Sequence, residues 1–282
     1  MRIGIEEIIN RSGELLIMPS VARKVIELVS YMGTTAKELA TVLIADQAIA
    51  TRLLRMVNSP FYGVGKKVTK VSEAIVLLGF DAVKSLVLTV SIKNTCKTPG
   101  VAEKLMWEHS MGVAVASAYI AKQLQIPKYE ELFIAGLLHD VGRVPIYKVI
   151  SGEYNELLKN LSTYSDITNK EKEKFGFTHA DIGGKIVDSW NLPEELEEII
   201  KNHHSFNEPI PDDIKDKKAV AIISLANKIC WKLKIGFDSP IEEINMGELL
   251  ELKELELPSN FFDSHSPEII KDYEGEKQLF ED

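Results

Sequence analysis

The sequence predicts an all-α protein, on three observations. Apolar residues recur at three- and four-residue spacings through most of the chain, as in Val21, Val25, Leu28 and Val29. Proline, threonine, aspartate and glycine stand where helices start and stop. No segment alternates apolar and polar residues as a half-buried strand does.

Taken in order, Pro19 suits a first helical turn, and Gly33 ends the segment it opens. Thr35 with Glu38 fits a capping box for a helix carrying Leu39, Val42, Leu43, Leu53, Leu54 and Val57. That helix stops at Asn58-Ser59-Pro60, with Gly63 and Gly65 just after. Ser72 opens a helix that Gly79 closes, and Asp81 caps another running to about Lys93. Thr98-Pro99-Gly100 marks a boundary between two helical lobes. A long helix, Val101 to Leu124, begins the second lobe, followed by Tyr129 to His139 and Ile146 to Leu161. Ser162 to Gly176 reads as a polar loop with some charged helix. Ala180 to Trp190, Pro193 to His204 and Lys217 to Leu233 are three further helices. The tail after Gly236 is acidic, less periodic and broken by Pro240, Pro258 and Pro267; with Phe261-Phe262 it is expected to fold back on the second lobe. The expected organisation is a helical lobe over 1–97, a second over 98–235 and an acidic extension over 236–282.

Composition excludes several classes. With 45% hydrophobic and 27% charged residues, the chain is too apolar for disorder. It has no uncharged apolar run of the ~18 residues that would span a bilayer. A net charge of −9 argues against bulk nucleic-acid binding, which needs a positive field. Helix–Gly79–helix suggests a helix-turn-helix, but the second helix is built of Val83, Leu86, Val87, Leu88 and Val90 and belongs in a core. Two distant cysteines, Cys96 and Cys230, and a start bearing Glu6 and Glu7 without an export signal lead to an expectation of a cytoplasmic protein.

Five of the six histidines lie between positions 109 and 204. His109 sits in Trp107-Glu108-His109-Ser110, and His139-Asp140 ends an apolar run, Ala135 to Leu138. His179 opens a helix and His203-His204 ends one. Imidazoles and a carboxylate are suitable ligands for first-row divalent metals. An ionised Asp140 after an apolar helix is costly unless a cation or hydrogen bonds satisfy it, and Gly142 would let the chain turn tightly there. Adjacent helical residues point about 100° apart, so each doublet serves one centre only at a helix end. The plain alternative is a set of hydrogen-bonded core histidines.

The order His109, His139-Asp140, Gly142 resembles the metal-dependent phosphohydrolases called HD-domain proteins. His179 with Gly183, and His203-His204, extend the likeness to the HD-GYP branch, the cyclic-dinucleotide phosphodiesterases. Met18-Pro19-Ser20, Ala45-Asp46-Gln47-Ala48, Val57-Asn58-Ser59-Pro60-Phe61-Tyr62-Gly63, Leu78-Gly79 and Trp190-Asn191-Leu192-Pro193 are similar to the HDOD family, over about residues 14 to 235. The resemblance implies a bacterial signal-transduction output protein of all-α fold. It implies a metal centre of His109, His139, Asp140, His179, His203 and His204, with Asp140 bridging in a binuclear form. The cofactor would be Fe, Mn, Ni or Zn, mono- or binuclear. Asn227 stands where the pattern has its last aspartate and offers only a neutral carbonyl oxygen. Arg143 replaces a common lysine, and it and Lys185 would neutralise substrate phosphate. The glycine-rich loop after the His doublet is replaced by Ser205-Phe206-Asn207-Glu208-Pro209. The reading is therefore a non-catalytic regulatory protein with a degenerate metal site, binding a signalling protein partner and a nucleotide ligand. Phe61 and Tyr62 would either pack on the second lobe or form that partner surface. The alternative is a phosphoric ester hydrolase in which Asp140 and Arg143 serve catalysis.

Overall fold

The computed structural model describes residues 3–13, 18–58, 67–95, 101–127, 129–159, 166–206, 211–236 and 244–280. All described secondary structure is helical, so the all-α expectation holds. Phe61, Tyr62, the Thr98-Pro99-Gly100 boundary and Asn207 to Pro209 lie outside the described residues. The chain divides into two compact units, one of Met18–Thr95 with Glu274–Asp282, the other of Met1–Ile17 with Cys96–Tyr273.

The first of these units is built from α2 (Ser20–Ser30), α3 (Ala36–Ile44), α4 (Gln47–Val57), α5 (Val71–Leu78) and α6 (Phe80–Thr95). Helix α6 packs on α2, α4 and α5. Its residues Ser85 to Ser91 are all buried, which makes it a core helix and removes it as a groove reader. The Thr35–Glu38 capping box forms as expected, with Thr35 N–H donating to Glu38 at 2.8 Å. The single helix expected over 36–57 is in fact two. Asp46 accepts from Ala48 and Ile49 N–H at 3.0 and 3.1 Å and starts α4 afresh. The signal for that break was in the sequence: aspartate is a strong N-cap. Conversely, Asp81 is not the N-cap: it lies in the first turn of α6, which Phe80 begins directly after Gly79. Gly79 closes α5 with φ 84°, a conformation glycine adopts without strain. Asn58 is bonded to Val68 twice: its side-chain amide donates to Val68 O and accepts from Val68 N, both at 2.8 Å.

The second unit contains α1 (Ile5–Ser12), α7 (Val101–Gln123), α8 (Tyr129–Leu138), α9 (Arg143–Lys159), α10 (Asp166–Phe175), α11 (His179–Ser189), α12 (Glu194–Asn202), α13 (Lys217–Lys232), α14 (Leu250–Glu254) and the start of α15 (Phe261–Phe280). Helix α7 is its axis and packs on α8 and α13; α12 packs on α8, α11 and α13. Residues Met111 to Ala118 of α7 and Ala219 to Trp231 of α13 are continuously buried. The stretch read as polar loop contains α10, whose Ile167, Glu171 and Phe175 are buried at helical spacing. The tail is more regular than its prolines suggested. Pro267 lies inside the twenty-residue α15, six residues after Phe261. Helix α14 packs on α13, and its Glu251 is fully buried against Ser224 and Lys228, each 2.5 Å away.

Candidate metal centre

Four places in the second unit, α7, the turn after α8, the start of α11 and the end of α12, bring donors to a common point. Helix α8 ends at Leu138, so His139 and Asp140 fall in the turn that follows it. Gly136 is required there. A Cβ at this position would lie 2.8 Å from Ala114 Cα, so only glycine lets α8 lie against α7, which carries His109. Gly142 plays a role the sequence reading missed. Its backbone needs no left-handed turn; instead a Cβ would stand 2.6 Å from Gly183 N, and the lack of one lets α11 close on the site. His179 is the first residue of α11, fixed by a Thr178–Asp181 capping box. His203 is the C-cap of α12 and His204 follows it, the helix-end placement a doublet needs.

The convergence is tight. Asp140 Oδ1 lies 3.1 Å from His179 Nε2 and 3.7 Å from His203 Nε2. Asp140 Oδ2 lies 3.5 Å from His139 Nε2, 3.9 Å from His109 Nε2 and 2.9 Å from Arg143 Nε. His204 Nε2 is 3.1 Å from His179 Nε2. Two donor groups result, Asp140 with His179, His203 and His204, and Asp140 with His109 and His139; within each, the donor atoms lie within 4.8 Å of one another. His139, His179 and His203 are fully buried, Asp140 is 6% exposed, and His204 is half-buried.

The rings are aimed by their outer nitrogens. His109, His139 and His203 place Nδ1 against the carbonyls of Ile235, Gly136 and Ile200 at 3.2, 2.7 and 2.7 Å. A carbonyl only accepts, so in each ring Nδ1 carries the proton and a neutral ring turns its Nε2 lone pair inward. His179 Nδ1 instead donates to the Glu171 carboxylate at 2.7 Å. Glu171 also accepts the His179 N–H at 2.9 Å and the Tyr154 hydroxyl at 2.5 Å. This carboxylate behind a histidine is the arrangement that orients metal-binding imidazoles and raises their basicity.

Charge follows geometry. Burial, then the neighbouring His139, lowers His109 to about 3. Burial also lowers His139, His203 and His204. His179 goes the other way: burial opposes its proton, but the Glu171 carboxylate outweighs it and the net shift is upward. Burial likewise opposes the Asp140 carboxylate, but Arg143, His139 and His179 hold its pKa well below the usual range.

Six donor side chains of the sequence reading are thus brought together, along with Arg143. Lys185 is not. It is six residues beyond His179 on α11, so it leaves from another side of the helix, and it pairs at the surface with Glu6 at 2.6 Å. Asn227 is buried in α13, one turn before Trp231, whose ring lies edge-on to His109 at 6.1 Å between centroids. Glu171 and Tyr154 were missed. The signal that could have found Glu171 is its place in the Ile167–Glu171–Phe175 stripe, an acid at an apolar position.

These residues fit a divalent first-row ion. Nitrogen donors with one carboxylate are the ligand set such ions prefer, and His139 Nε2 is buried without a hydrogen-bond partner. The cluster can therefore hold a metal.

A family model described as the HDOD domain matches residues 15–206. This chain belongs to the HDOD family. Among solved structures, an HDOD domain protein of unknown function from Geobacter sulfurreducens matches with a TM-score of 0.80 at 22% identity, covering 98% of this chain and 97% of that one. A protein from Shewanella amazonensis SB2B, described as a candidate phosphohydrolase, matches with a TM-score of 0.69 at 21% identity over 96% of this chain and 97% of that one. These likenesses establish the HDOD fold. A curated relative, an uncharacterized protein of Treponema pallidum (strain Nichols), is 24% identical over 226 residues, 78% of this chain. The HDOD chain spans 43% of that relative's length. No single described helix is long and apolar enough to cross a membrane; Val71–Leu78 and Phe80–Ser91 pass that test only as a pair bent by 113°.

Proposed function

We propose that this HDOD protein is a signal-transduction output module in which the histidine centre holds a divalent metal as a regulatory or structural element and does not turn over substrate. The observation that carries this reading is the burial of the centre: Asp140, His109, His139, His179 and His203 are each at most 6% exposed. Closed sites suit structural metals, whereas catalytic sites keep a position open to substrate. Arg143 is likewise only 4% exposed and forms an ion pair with Asp140. Asp140 would hold the metal together with histidines drawn from the two donor groups, with Glu171 orienting His179. When bound, a divalent ion supplies Lewis acidity and positive charge. A metal at His179 Nε2 would compete with a proton on that nitrogen while Nδ1 keeps its hydrogen bond to Glu171, so binding would weaken as pH falls. The output is a contact with a protein partner in the cytoplasm.

A second reading, a phosphoric ester hydrolase, is favoured by one feature, the two donor groups sharing the Asp140 carboxylate. One experiment separates the two. Protein purified without chelator is analysed for Fe, Mn, Ni and Zn, then offered phosphomonoesters, phosphodiesters and cyclic dinucleotides. Bound metal without turnover is expected. Hydrolysis that disappears in Asp140→Ala would establish the enzyme instead, and absence of metal under all loading conditions would remove both readings.

A further inference from the structure

The two oxygens of Asp140 face different surroundings. On the Oδ1 side stand His179 at 3.1 Å and His203 at 3.7 Å, and with His204 they make a four-donor group. Four donors complete the tetrahedral set that a zinc-like ion prefers. Behind that group the Glu171 carboxylate is hydrogen-bonded to His179 Nδ1 at 2.7 Å and adds negative charge close by.

On the Oδ2 side, among the described residues, the donor group adds His139 and His109, and there the carboxylate is paired with Arg143 Nε at 2.9 Å. A guanidinium keeps its charge at any ordinary pH, so it cannot lose a proton to make way for a metal. Arg143 opens α9 three residues after Asp140, and the intervening turn is fixed by Val141 N–H to Leu138 O and Arg143 N–H to Asp140 O, both at 2.9 Å. The chain itself therefore holds the cation in place. Asn227, buried one turn from the tryptophan that touches His109, brings no charge to this side. A second divalent ion here would add to Arg143 a large buried positive charge that Asp140 and Glu171 could not balance.

We infer that the centre takes one divalent transition-metal ion, on the Oδ1 side through Asp140, His179, His203 and His204, and that Arg143 stands permanently in place of a second ion on the Oδ2 side. This rests on the proposed reading that the centre binds metal, and it adds which donors do so and how many ions they take. His109 and His139 then serve as neutral packing around the Asp140–Arg143 pair.

The test uses the full chain, stripped with chelator and titrated with Zn²⁺ or Co²⁺. Stoichiometry is read by native mass spectrometry and by the visible absorption of cobalt. The wild-type protein should saturate at one equivalent. His203→Ala and His204→Ala should weaken binding by about a hundredfold or more, while His109→Ala stays within about threefold of wild type. Arg143→Gln should admit a second equivalent, and Arg143→Lys should not. Two equivalents in the wild type would overturn the inference and leave the metal-binding reading standing, as would a loss in His109→Ala equal to that in His204→Ala. No uptake in the wild type would sink both. If Arg143→Gln does not fold, the contrast between His109→Ala and His204→Ala decides the matter alone.

Discussion

Glu171→Gln is the sharpest probe of how this centre is supported. The change keeps the shape of a fully buried side chain and removes its charge. The carboxylate accepts the Tyr154 hydroxyl at 2.5 Å, the His179 N–H at 2.9 Å and His179 Nδ1 at 2.7 Å. A glutamine keeps one oxygen and turns an NH₂ group toward donors, so at least one of these contacts becomes donor against donor. Hydrogen bonds to a charged group contribute about 1.5–3 kcal/mol each, and a stranded buried group costs about 1–3 kcal/mol. The expected loss of unfolding free energy is about 2–4 kcal/mol, measured by urea denaturation at pH 7 with chelator present. His179 should change as well. Its pKa is raised because Glu171 outweighs burial; without that charge burial prevails and the pKa falls, which an imidazole NMR titration reads directly. Metal affinity should drop about 10–100-fold, or about 1.4–2.8 kcal/mol. Glu173→Gln, on the exposed side of the same helix, is the control and should stay within about 0.5 kcal/mol. A Glu171→Gln protein as stable as that control, with an unmoved His179 titration, would refute the reasoning.

Further expectations concern acid, packing and capping. His109 falls from an ordinary 6.5 to about 3 on folding, so the unfolded chain takes up its proton first. Its contribution to stability is complete above pH 6.5 and is lost as pH falls toward about 3, at up to ~1.4 kcal/mol per pH unit. His139, His203 and His204 share that sign, and only His179 opposes it. Unfolding free energies equal at pH 7 and pH 5 in chelator would contradict the neutral-histidine assignment. Gly142→Ala places a methyl 2.6 Å from Gly183 N between backbones that cannot rotate away; a loss of about 1–3 kcal/mol or more is expected by thermal unfolding, together with weaker metal binding. A neutral Gly142→Ala would mean α11 does not close on the centre as described. Asp46→Ala removes the cap that restarts α4 and should cost about 1 kcal/mol by denaturant midpoint, with no effect on metal affinity.

Particular residues show where sequence reasoning reached and where it stopped. The Thr35–Glu38 box and the Gly79 stop were legible because caps act within four residues of themselves. The break at Asp46 was overlooked because the apolar stripe runs on past it, and periodicity does not see a helix that ends and restarts in phase. The histidines and Asp140 stood out by type and spacing. Lys185 was given a site role on charge alone, and six residues of helical rotation carry it to the surface beside Glu6. Glu171 was legible as an acid in the Ile167–Glu171–Phe175 stripe, but nothing in the order of the chain names His179 as its partner.

The sequence by itself determined the all-α class, the HDOD family and the residues able to form a metal centre. Those depend on local periodicity, short-range capping and residue chemistry, which the chain carries in its own order. Only the tertiary structure decided that donors from α7, the turn after α8, α11 and the end of α12 meet around one carboxylate. It alone divided that carboxylate between His179 and His203 near one oxygen and Arg143, His139 and His109 near the other. Such an arrangement depends on close helix packing at Gly136 and Gly142, where distances of a few ångströms between residues far apart in the chain set the electrostatics.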